Sequence, residues 1–240
     1  MKKIIVKEDS SILAKTIAIE IANYINQNKD CLICLAAGDT PLLVYKELIT
    51  LQLNNYVNLS DAYYVSLDEW LDLGYQDVGS CIEVMTNNFY KPANISADHL
   101  MLFDGQTTDV KEHLKQVTDF INKHNGIDYT LLGIGMNGHV GFNEPFSKQA
   151  DGCLLFPLDE VTKKVSSKYF DKDIDVKYGI GVSINELIKA DKISLIATGS
   201  HKQNIIKRTI NDTPSIEVPA SIIFNQVQTI LYLDKEAFPK

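Results

Sequence analysis

The sequence predicts an α/β fold, namely a Rossmann-like, doubly wound and mostly parallel sheet with helices on both faces. Apolar runs of strand length alternate with helix-forming segments along the chain, which is typical of parallel strands joined by crossover helices. Four of the predicted strands also end in glycine-rich or acidic segments, as strands do where a parallel sheet binds its ligands. Because no Pro/Ser-rich linker and no solenoid-length repeat divides the chain, we expect residues 1–240 to form a single domain.

In the first half of the chain, each predicted strand is followed by a helix. Ser10 and Ser11 are candidate N-caps for the first helix, and Pro41 suits the first turn of the second, where its missing N–H would have no partner. The predicted strands cover residues 3–6, 31–36, 62–67 and 100–103, and the helices cover 10–25, 42–51, 80–89 and 109–123.

The second half repeats the alternation around a glycine-rich centre. The predicted strands cover residues 129–134, 193–197 and 229–233, and the helices cover 184–188 and 202–210. Residues 179–182 are predicted to form a strand or a turn. The polar segment 148–152 is predicted to be a loop.

Composition excludes several classes of function. The net charge of -8 and the pI of about 5.1 argue against nucleic acid or an anionic membrane surface as a partner. The sequence has no apolar stretch near the ~20 residues that a membrane span needs, and a cytoplasmic location is expected. Cys31 and Cys34 form a C-x-x-C inside an apolar run, so we interpret them as small buried residues and predict no metal site.

Residues 131–145, LLGIGMNGHVGFNEP, are the most informative stretch of the sequence. An apolar run leads into a turn with four glycines, which then presents His139 and Glu144 in close succession. A strand that ends in glycines and ionisable groups suits an active site at the carboxyl edge of a parallel sheet. The G-x-G-x-x-G spacing is present, but no helix can begin where a dinucleotide site requires one.

Two other strand ends are candidate anion-binding turns. Gly38, Asp39, Thr40 and Pro41 open a helix, whose free N–H groups and positive dipole end can hold a phosphate. Residues 198–202 repeat the arrangement and add the charge of Lys202. Each turn taken alone is an ordinary strand-to-helix connection, and neither is a Walker A motif.

Asp68 and His139 are the candidate proton-transfer pair. Asp68 ends a predicted strand and can act as a carboxylate base, whereas His139 can be held in one tautomer by Glu144 and act as an acid. Considered alone, Asp68 could instead cap the N-terminus of a helix, and His139 could be an ordinary hydrogen-bonded residue of a turn. Their coincidence with two anion-binding turns at one sheet edge favours proton transfer on a small phosphorylated, carbonyl-forming substrate.

These motifs together resemble the glucosamine-6-phosphate deaminase/isomerase family over nearly the whole chain. The FNEP-type stretch is specific, and its order relative to the other matching segments makes a chance match implausible. The matching segments are 38–46, LDEW at 67–70, 132–145, ATG with Lys202 at 197–202, and VPAS at 218–221.

The resemblance implies an aldose–ketose isomerisation coupled to loss of ammonia, with no cofactor. It implies that His139 protonates the ring oxygen, that Glu144 orients His139, and that Asp68 moves a proton from C2 to C1. It also implies that the 6-phosphate of a small-molecule amino-sugar phosphate is held by the turn at Thr40 with Lys202 and Lys168.

Four positions depart from the family pattern. Asn137 stands where Asp is frequent and can orient but not transfer protons. Lys168 stands where an Arg is usual and would bind phosphate as a point charge. Asp39 would repel phosphate unless it caps the helix. Residues 153–156 lack the Arg-x-Lys of allosteric members, so we predict no activation by an amino-sugar phosphate at that site.

Two details of the sequence bear on the choice of sugar. Trp70 and the segment 79–81 resemble the galactosamine-6-phosphate isomerase branch, so galactosamine 6-phosphate, giving tagatose 6-phosphate, is the first expectation. The alternative is glucosamine 6-phosphate, giving fructose 6-phosphate. A 6-phosphogluconolactonase and a sugar-phosphate sensor are further alternatives, and a homo-oligomer is possible in this family.

Overall fold

Seven parallel strands form the central sheet of the protein. The computed structural model describes residues 2–166, 168–170 and 174–239. The order of the strands in the sheet is β1-β10-β9-β6-β2-β3-β5, and every pairing in it is parallel. The strands of the protein are β1 (Lys3–Lys7), β2 (Leu32–Leu35), β3 (Tyr63–Ser66), β4 (Asp68–Trp70), β5 (Leu100–Met101), β6 (Tyr129–Gly133), β7 (Cys153–Pro157), β8 (Tyr178–Val182), β9 (Lys192–Ala197) and β10 (Thr229–Asp234).

Eight α-helices accompany these strands in the described part of the chain. They are α1 (Ser10–Gln27), α2 (Leu42–Leu53), α3 (Cys81–Met85), α4 (Val110–Lys123), α5 (Glu160–Ser166), α6 (Ile184–Leu187), α7 (Gln203–Asn211) and α8 (Pro219–Phe224). The predicted helix over 80–89 consists of two parts: the α-helix α3 ends at Met85, and a π-helical turn follows directly at Thr86–Tyr90. None of the helices in the described ranges is long and apolar enough to cross a membrane.

Helices cover both faces of the central sheet, which confirms the predicted fold class. Alternate residues of the buried strands point to opposite faces, so Cys34 joins one apolar cluster while Ile33 and Leu35 join the other. One cluster includes the apolar face of α1, with Ile17 and Ile21 fully buried, and the other includes α8. All four cysteines are free and buried, as expected for small core residues.

The N-cap predicted for α1 was wrong by one residue. The helix begins at Ser10, but the capping side chain is that of Asp9, whose carboxylate accepts a hydrogen bond from Ile12 N at 2.9 Å. A carboxylate satisfies a free N–H at the helix start and also interacts favourably with the dipole.

A second, antiparallel sheet was not predicted. Asp68 lies two residues beyond the end of β3 and begins β4, which pairs antiparallel with β8 so that Asp68 faces Gly181. β7 completes this sheet of three strands in the order β4-β8-β7. β7, α5 and α8 have no counterpart among the predicted elements; two of them adjoin a proline, Pro157 at the end of β7 and Pro219 at the start of α8.

An aromatic cluster joins the second sheet to the glycine-rich loop after β6. The Trp70 ring lies 4.6 Å from the Phe142 ring and 5.5 Å from the Phe170 ring, both edge-on. Gly179 of β8 permits this packing, because a Cβ there would lie 2.2 Å from the Phe142 ring. The cluster therefore fixes β4, and with it Asp68, against the loop that carries His139.

Candidate active site

His139 and Glu144 form a pair at the carboxyl end of β6. The His139 Nδ1 lies 3.4 Å from the Glu144 Oε2, and the Glu144 side chain is only 4% exposed. Asn137 completes the loop: its Nδ2 donates to the same Oε2 at 2.9 Å, and its Oδ1 accepts from the His139 backbone N at 3.1 Å. The structure thus brings these three predicted residues together.

The glycines of the loop permit this geometry. Gly135 N donates to His139 O at 2.9 Å, which closes a tight turn and lays the imidazole ring over Gly135. A Cβ at residue 135 would lie 2.3 Å from that ring, so no other residue fits. Gly138 has φ 88°, a left-handed conformation that glycine adopts without strain.

Two residues of the site come from the segment that the sequence analysis missed. Thr162 of α5 places its Oγ1 3.1 Å from the His139 Nδ1, and Asp159 places its Oδ1 3.4 Å from the Asn137 Nδ2. α5 has seven mostly polar residues and no apolar periodicity, so the sequence does not predict a helix there. The only indication that Asp159 and Thr162 could belong to a site is that both carry polar side chains.

The surroundings of Glu144 keep it ionised. Burial acts to raise the pKa of this carboxyl, but hydrogen bonds and charge from His139, with bonds from Thr162 and Asn137, leave it below its usual value. Its Oε1 is buried without a hydrogen-bond partner. A carboxylate of this kind fixes the orientation of the imidazole.

Asp68 is held in a buried position beside this loop. Its Oδ2 lies close to Gly141, where a Cβ would come within 3.0 Å of it, and its Cβ packs against Gly181 of β8. Burial raises its pKa to about 7, while a hydrogen bond from the Cys81 thiol and the charge of His139 act in the opposite direction. A carboxyl with this pKa can accept and return a proton near neutral pH.

Glu69, the neighbour of Asp68, has a structural role. Its carboxylate accepts hydrogen bonds from the backbone N–H groups of Trp70, Cys81 and Ile82 at 2.6 to 2.9 Å. The bonds from Cys81 and Ile82 satisfy free N–H groups at the start of α3. The N-cap alternative considered for Asp68 is therefore wrong, since Glu69 and the Ser80 side chain supply these bonds.

The positive charges of the site come from Lys202 and Lys168. Lys202 Nζ donates to Ile134 O at 2.6 Å, which places it at the base of the glycine-rich loop. Burial, together with the charge of Lys168, lowers the pKa of Lys202 to about 8. Lys168 lies two residues beyond the end of α5, with its Nζ 4.5 Å from the Tyr169 ring centroid. The neighbouring Ser167 lies outside the described residues.

Asp39 faces Lys168 and does not cap a helix. The Asp39 Oδ2 lies 3.0 Å from the Lys168 Nζ, with both side chains more than half exposed. At the start of α2, Pro41 occupies the cap position and no side chain caps the helix. Gly38 and Thr40 lie in the same turn, and a Cβ at Gly38 would meet no atom within 4 Å. The space beside this turn is open to a ligand.

The candidate site therefore combines residues from four strand ends. Asp39 follows β2, Asp68 begins β4, His139 follows β6, and Lys202 follows β9. Within the described ranges, no group of three or more His, Cys, Asp or Glu side chains is arranged to hold a metal ion. The arrangement offers a buried carboxyl of raised pKa, a His–Glu pair and two cations.

Proteins of similar sequence are deaminases of an amino-sugar phosphate. A glucosamine-6-phosphate deaminase of Clostridium acetobutylicum is 35% identical over 236 residues, which cover 98% of this chain and 98% of that protein. A second glucosamine-6-phosphate deaminase, from Clostridium botulinum strain Hall, is 33% identical over 239 residues, which cover 99% of this chain and 98% of that protein.

Solved structures share the fold. A monomeric glucosamine-6-phosphate deaminase superimposes with a TM-score of 0.93 at 25% identity, covering 98% of both chains. The 6-phosphogluconolactonase of Trypanosoma brucei superimposes with a TM-score of 0.77 at 20% identity, covering 99% of this chain and 97% of that one. At this identity the match shows a shared fold alone.

The resemblance inferred from the motifs is confirmed by a family model, described as glucosamine-6-phosphate isomerases/6-phosphogluconolactonase, that matches residues 7–232. With full-length relatives above 30% identity, this match shows that the chain belongs to the glucosamine-6-phosphate isomerase/6-phosphogluconolactonase family.

Proposed function

We propose that this protein is a cofactor-independent deaminating isomerase of a 2-amino-2-deoxyhexose 6-phosphate. The observation that carries the proposal is Asp68, a buried carboxyl whose pKa is raised to about 7, next to the His139–Glu144 pair. Isomerisation needs one group that removes and returns a proton on carbon and another that protonates oxygen. Asp68 and His139 match these two requirements.

In the proposed reaction, His139 donates a proton to the ring oxygen and takes one back from the C1 hydroxyl, so that the ring opens to the free aldehyde. Asp68 removes the proton from C2 while O1 takes up a proton from solvent, giving a neutral enolamine. Asp68 then returns its proton to C1, which leaves a protonated imine at C2, and the proton taken from solvent is released when water adds. Water adds to this carbon and ammonia leaves, so that one water is consumed for each ammonia released and the product is a ketose 6-phosphate. Glu144 holds the imidazole and stabilises its protonated form.

The phosphate lies, in this proposal, between the turn at Gly38, Asp39 and Thr40 and the two lysines. The positive end of α2 and the Lys202 ammonium both favour an anion there. Lys168 adds a second charge once it leaves Asp39. Asn137 orients Glu144 and has no role in proton transfer, since an amide does not titrate.

For the sugar itself, we propose glucosamine 6-phosphate, converted to fructose 6-phosphate. The named relatives act on this epimer and match the chain almost end to end. Galactosamine 6-phosphate is the second candidate, because Cys81 contacts Asp68 and Trp70 lies in the aromatic cluster next to it, and both belong to the segments that resemble the galactosamine branch. A hydroxyl that the site hydrogen-bonds can separate two epimers strongly.

A comparison of ammonia release from the two sugar phosphates tests the proposal. We expect release from glucosamine 6-phosphate at the higher kcat/KM, and loss of release from both sugars in Asp68→Asn. A higher kcat/KM with galactosamine 6-phosphate would reverse the choice of epimer. Hydrolysis of 6-phosphogluconolactone without ammonia release from either sugar would replace the proposal by the lactonase alternative.

A further inference from the structure

The Asn137 side chain bridges two carboxylates in the structure. Its Nδ2 donates to Glu144 Oε2 at 2.9 Å and, over a longer distance of 3.4 Å, to Asp159 Oδ1. Its Oδ1 accepts from the His139 backbone N at 3.1 Å. With the amide flipped, its oxygen would face both carboxylates, so these three contacts together fix one orientation.

We propose that Asp159 is a positioning residue that acts through Asn137 on the His139–Glu144 pair. The kinetic part of this inference rests on the proposed function. Asp159 contacts neither His139 nor Glu144 directly; it holds the amide that donates to Glu144 Oε2, the atom that faces the imidazole. Because Glu144 Oε1 is buried without a partner, the charge of this carboxylate depends on the donors that reach Oε2.

The position of Asp159 connects this network to α5. Asp159 Oδ1 also accepts from Val161 N at 2.8 Å, so one oxygen both starts the helix and meets Asn137. Thr162, one turn further, contacts His139 Nδ1 at 3.1 Å. The segment around α5 therefore contacts His139 directly through Thr162 and the Asn137 amide through Asp159.

The same geometry explains why the residue at 137 is a neutral amide in this chain. An aspartate there would place its carboxylate about as close to Glu144 and Asp159 as the amide lies now, and three like charges would meet without a donor between them. Asn137→Asp is therefore harmful while Asp159 is present and becomes less harmful once Asp159 is removed.

The kinetic test uses Asp159→Ser, which can still accept from Val161 N but is too short to reach Asn137. We expect kcat for ammonia release to fall about 3- to 10-fold with KM nearly unchanged, the range that one hydrogen bond of ordinary strength accounts for. Asp159→Asn, which keeps an acceptor at the same place, recovers most of the loss. The matched control is Glu160→Ser, an exposed carboxylate on the same turn that pairs with Lys163.

The decisive experiment compares the effect of Asp159→Ser on kcat in two backgrounds, where we expect opposite signs. In the wild-type background Asp159→Ser lowers kcat, whereas in the Asn137→Asp background it raises kcat by removing one of the crowded charges. An equal loss in both backgrounds would overturn the proposal and assign Asp159 to helix capping alone.

A second measurement is independent of any activity. The side-chain NH₂ resonances of Asn137, recorded by NMR in the protein without substrate, report directly on its two acceptors. We expect Asp159→Ser to move one of the two proton resonances upfield and to speed its exchange, while Glu160→Ser moves neither. Unchanged Asn137 resonances would overturn the proposal even if the enzyme is active, and a shift supports it even if neither amino sugar is a substrate.

Discussion

The Cys81 thiol donates a hydrogen bond to the Asp68 carboxylate, with 3.6 Å between Sγ and Oδ1. Both side chains are buried, and the contact joins the first residue of α3 to the first residue of β4. Burial alone raises the pKa of Asp68, and the thiol partly offsets that effect. The pair therefore sets the pH at which the proposed base becomes ionised.

The pH dependence of kcat/KM is the first prediction. Because Asp68 must be ionised to accept the C2 proton and its pKa is raised to about 7, kcat/KM rises with pH through about 7. Asp68→Asn should lower kcat by roughly 10²- to 10⁴-fold, as expected for the loss of a general base. A profile without an acidic limb near pH 7 would contradict this assignment.

Replacement of Cys81 should move that limb. Cys81→Ala removes a donor to the ionised carboxylate, so the pKa of Asp68 rises and the acidic limb moves up by about 0.5 pH unit, corresponding to a weak hydrogen bond. Cys81→Ser keeps a donor and should leave the limb nearer its wild-type position. The matched control is Cys153→Ala, a buried thiol in β7 whose hydrogen bonding involves Thr118. A limb that moves equally in both alanine variants would disprove a specific role for Cys81.

The central sheet was predictable from the sequence because its strands are buried on both faces. Continuous apolar runs such as residues 31–36 are characteristic of such strands, and their polar ends located Asp68, His139 and Lys202 without any contact information. The second sheet was not predictable in this way. β4 has three residues, and its pairing with β8 depends on the close approach that Gly181 allows, which is a tertiary property.

The outer part of the site was missed for a related physical reason. Asp159 and Thr162 contact Asn137 and His139 only because β7 pairs with β8 and delivers α5 over the loop. Nothing in the local sequence specifies that approach. The orientation of Asp39 toward Lys168 likewise depends on a partner 129 positions away in the chain.

Lys202 should impose an alkaline limb on kcat/KM. Burial and the charge of Lys168 lower its pKa to about 8, so above that pH the free enzyme loses one of its two phosphate-binding charges and kcat/KM falls. Lys202→Arg keeps the charge, because the guanidinium pKa exceeds 12, and should remove the decline even if the absolute rate is lower. Lys207→Arg on the exposed side of α7 is the control and should leave the limb in place. A decline that persists unchanged in Lys202→Arg would assign it to another group.

Asp39 should weaken phosphate binding by competing for Lys168. The two side chains pair at 3.0 Å, so a bound phosphate must displace this carboxylate. Asp39→Asn should lower the inhibition constant of inorganic phosphate by about 2- to 5-fold at low salt, in keeping with an exposed ion pair, and the gain should shrink at high salt. Asp119→Asn, which removes the exposed partner of Lys115 elsewhere on the surface, is the control. Weaker phosphate binding in Asp39→Asn would show that the carboxylate supports the site.

Gly135 and Gly133 provide a matched pair for testing the position of His139. A Cβ at residue 135 would lie 2.3 Å from the imidazole, whereas a Cβ at residue 133 would meet no atom within 4 Å. Gly135→Ala must therefore displace the ring from its contacts with Glu144 and Thr162, and a shift of about 1 Å is enough to lower kcat by roughly 100-fold. Gly133→Ala should stay within about 3-fold of the wild type, since it only adds a methyl group in open space. Both variants are measured for ammonia release and for thermal unfolding. Equal activities in the two would mean that the reaction does not depend on where this loop places His139.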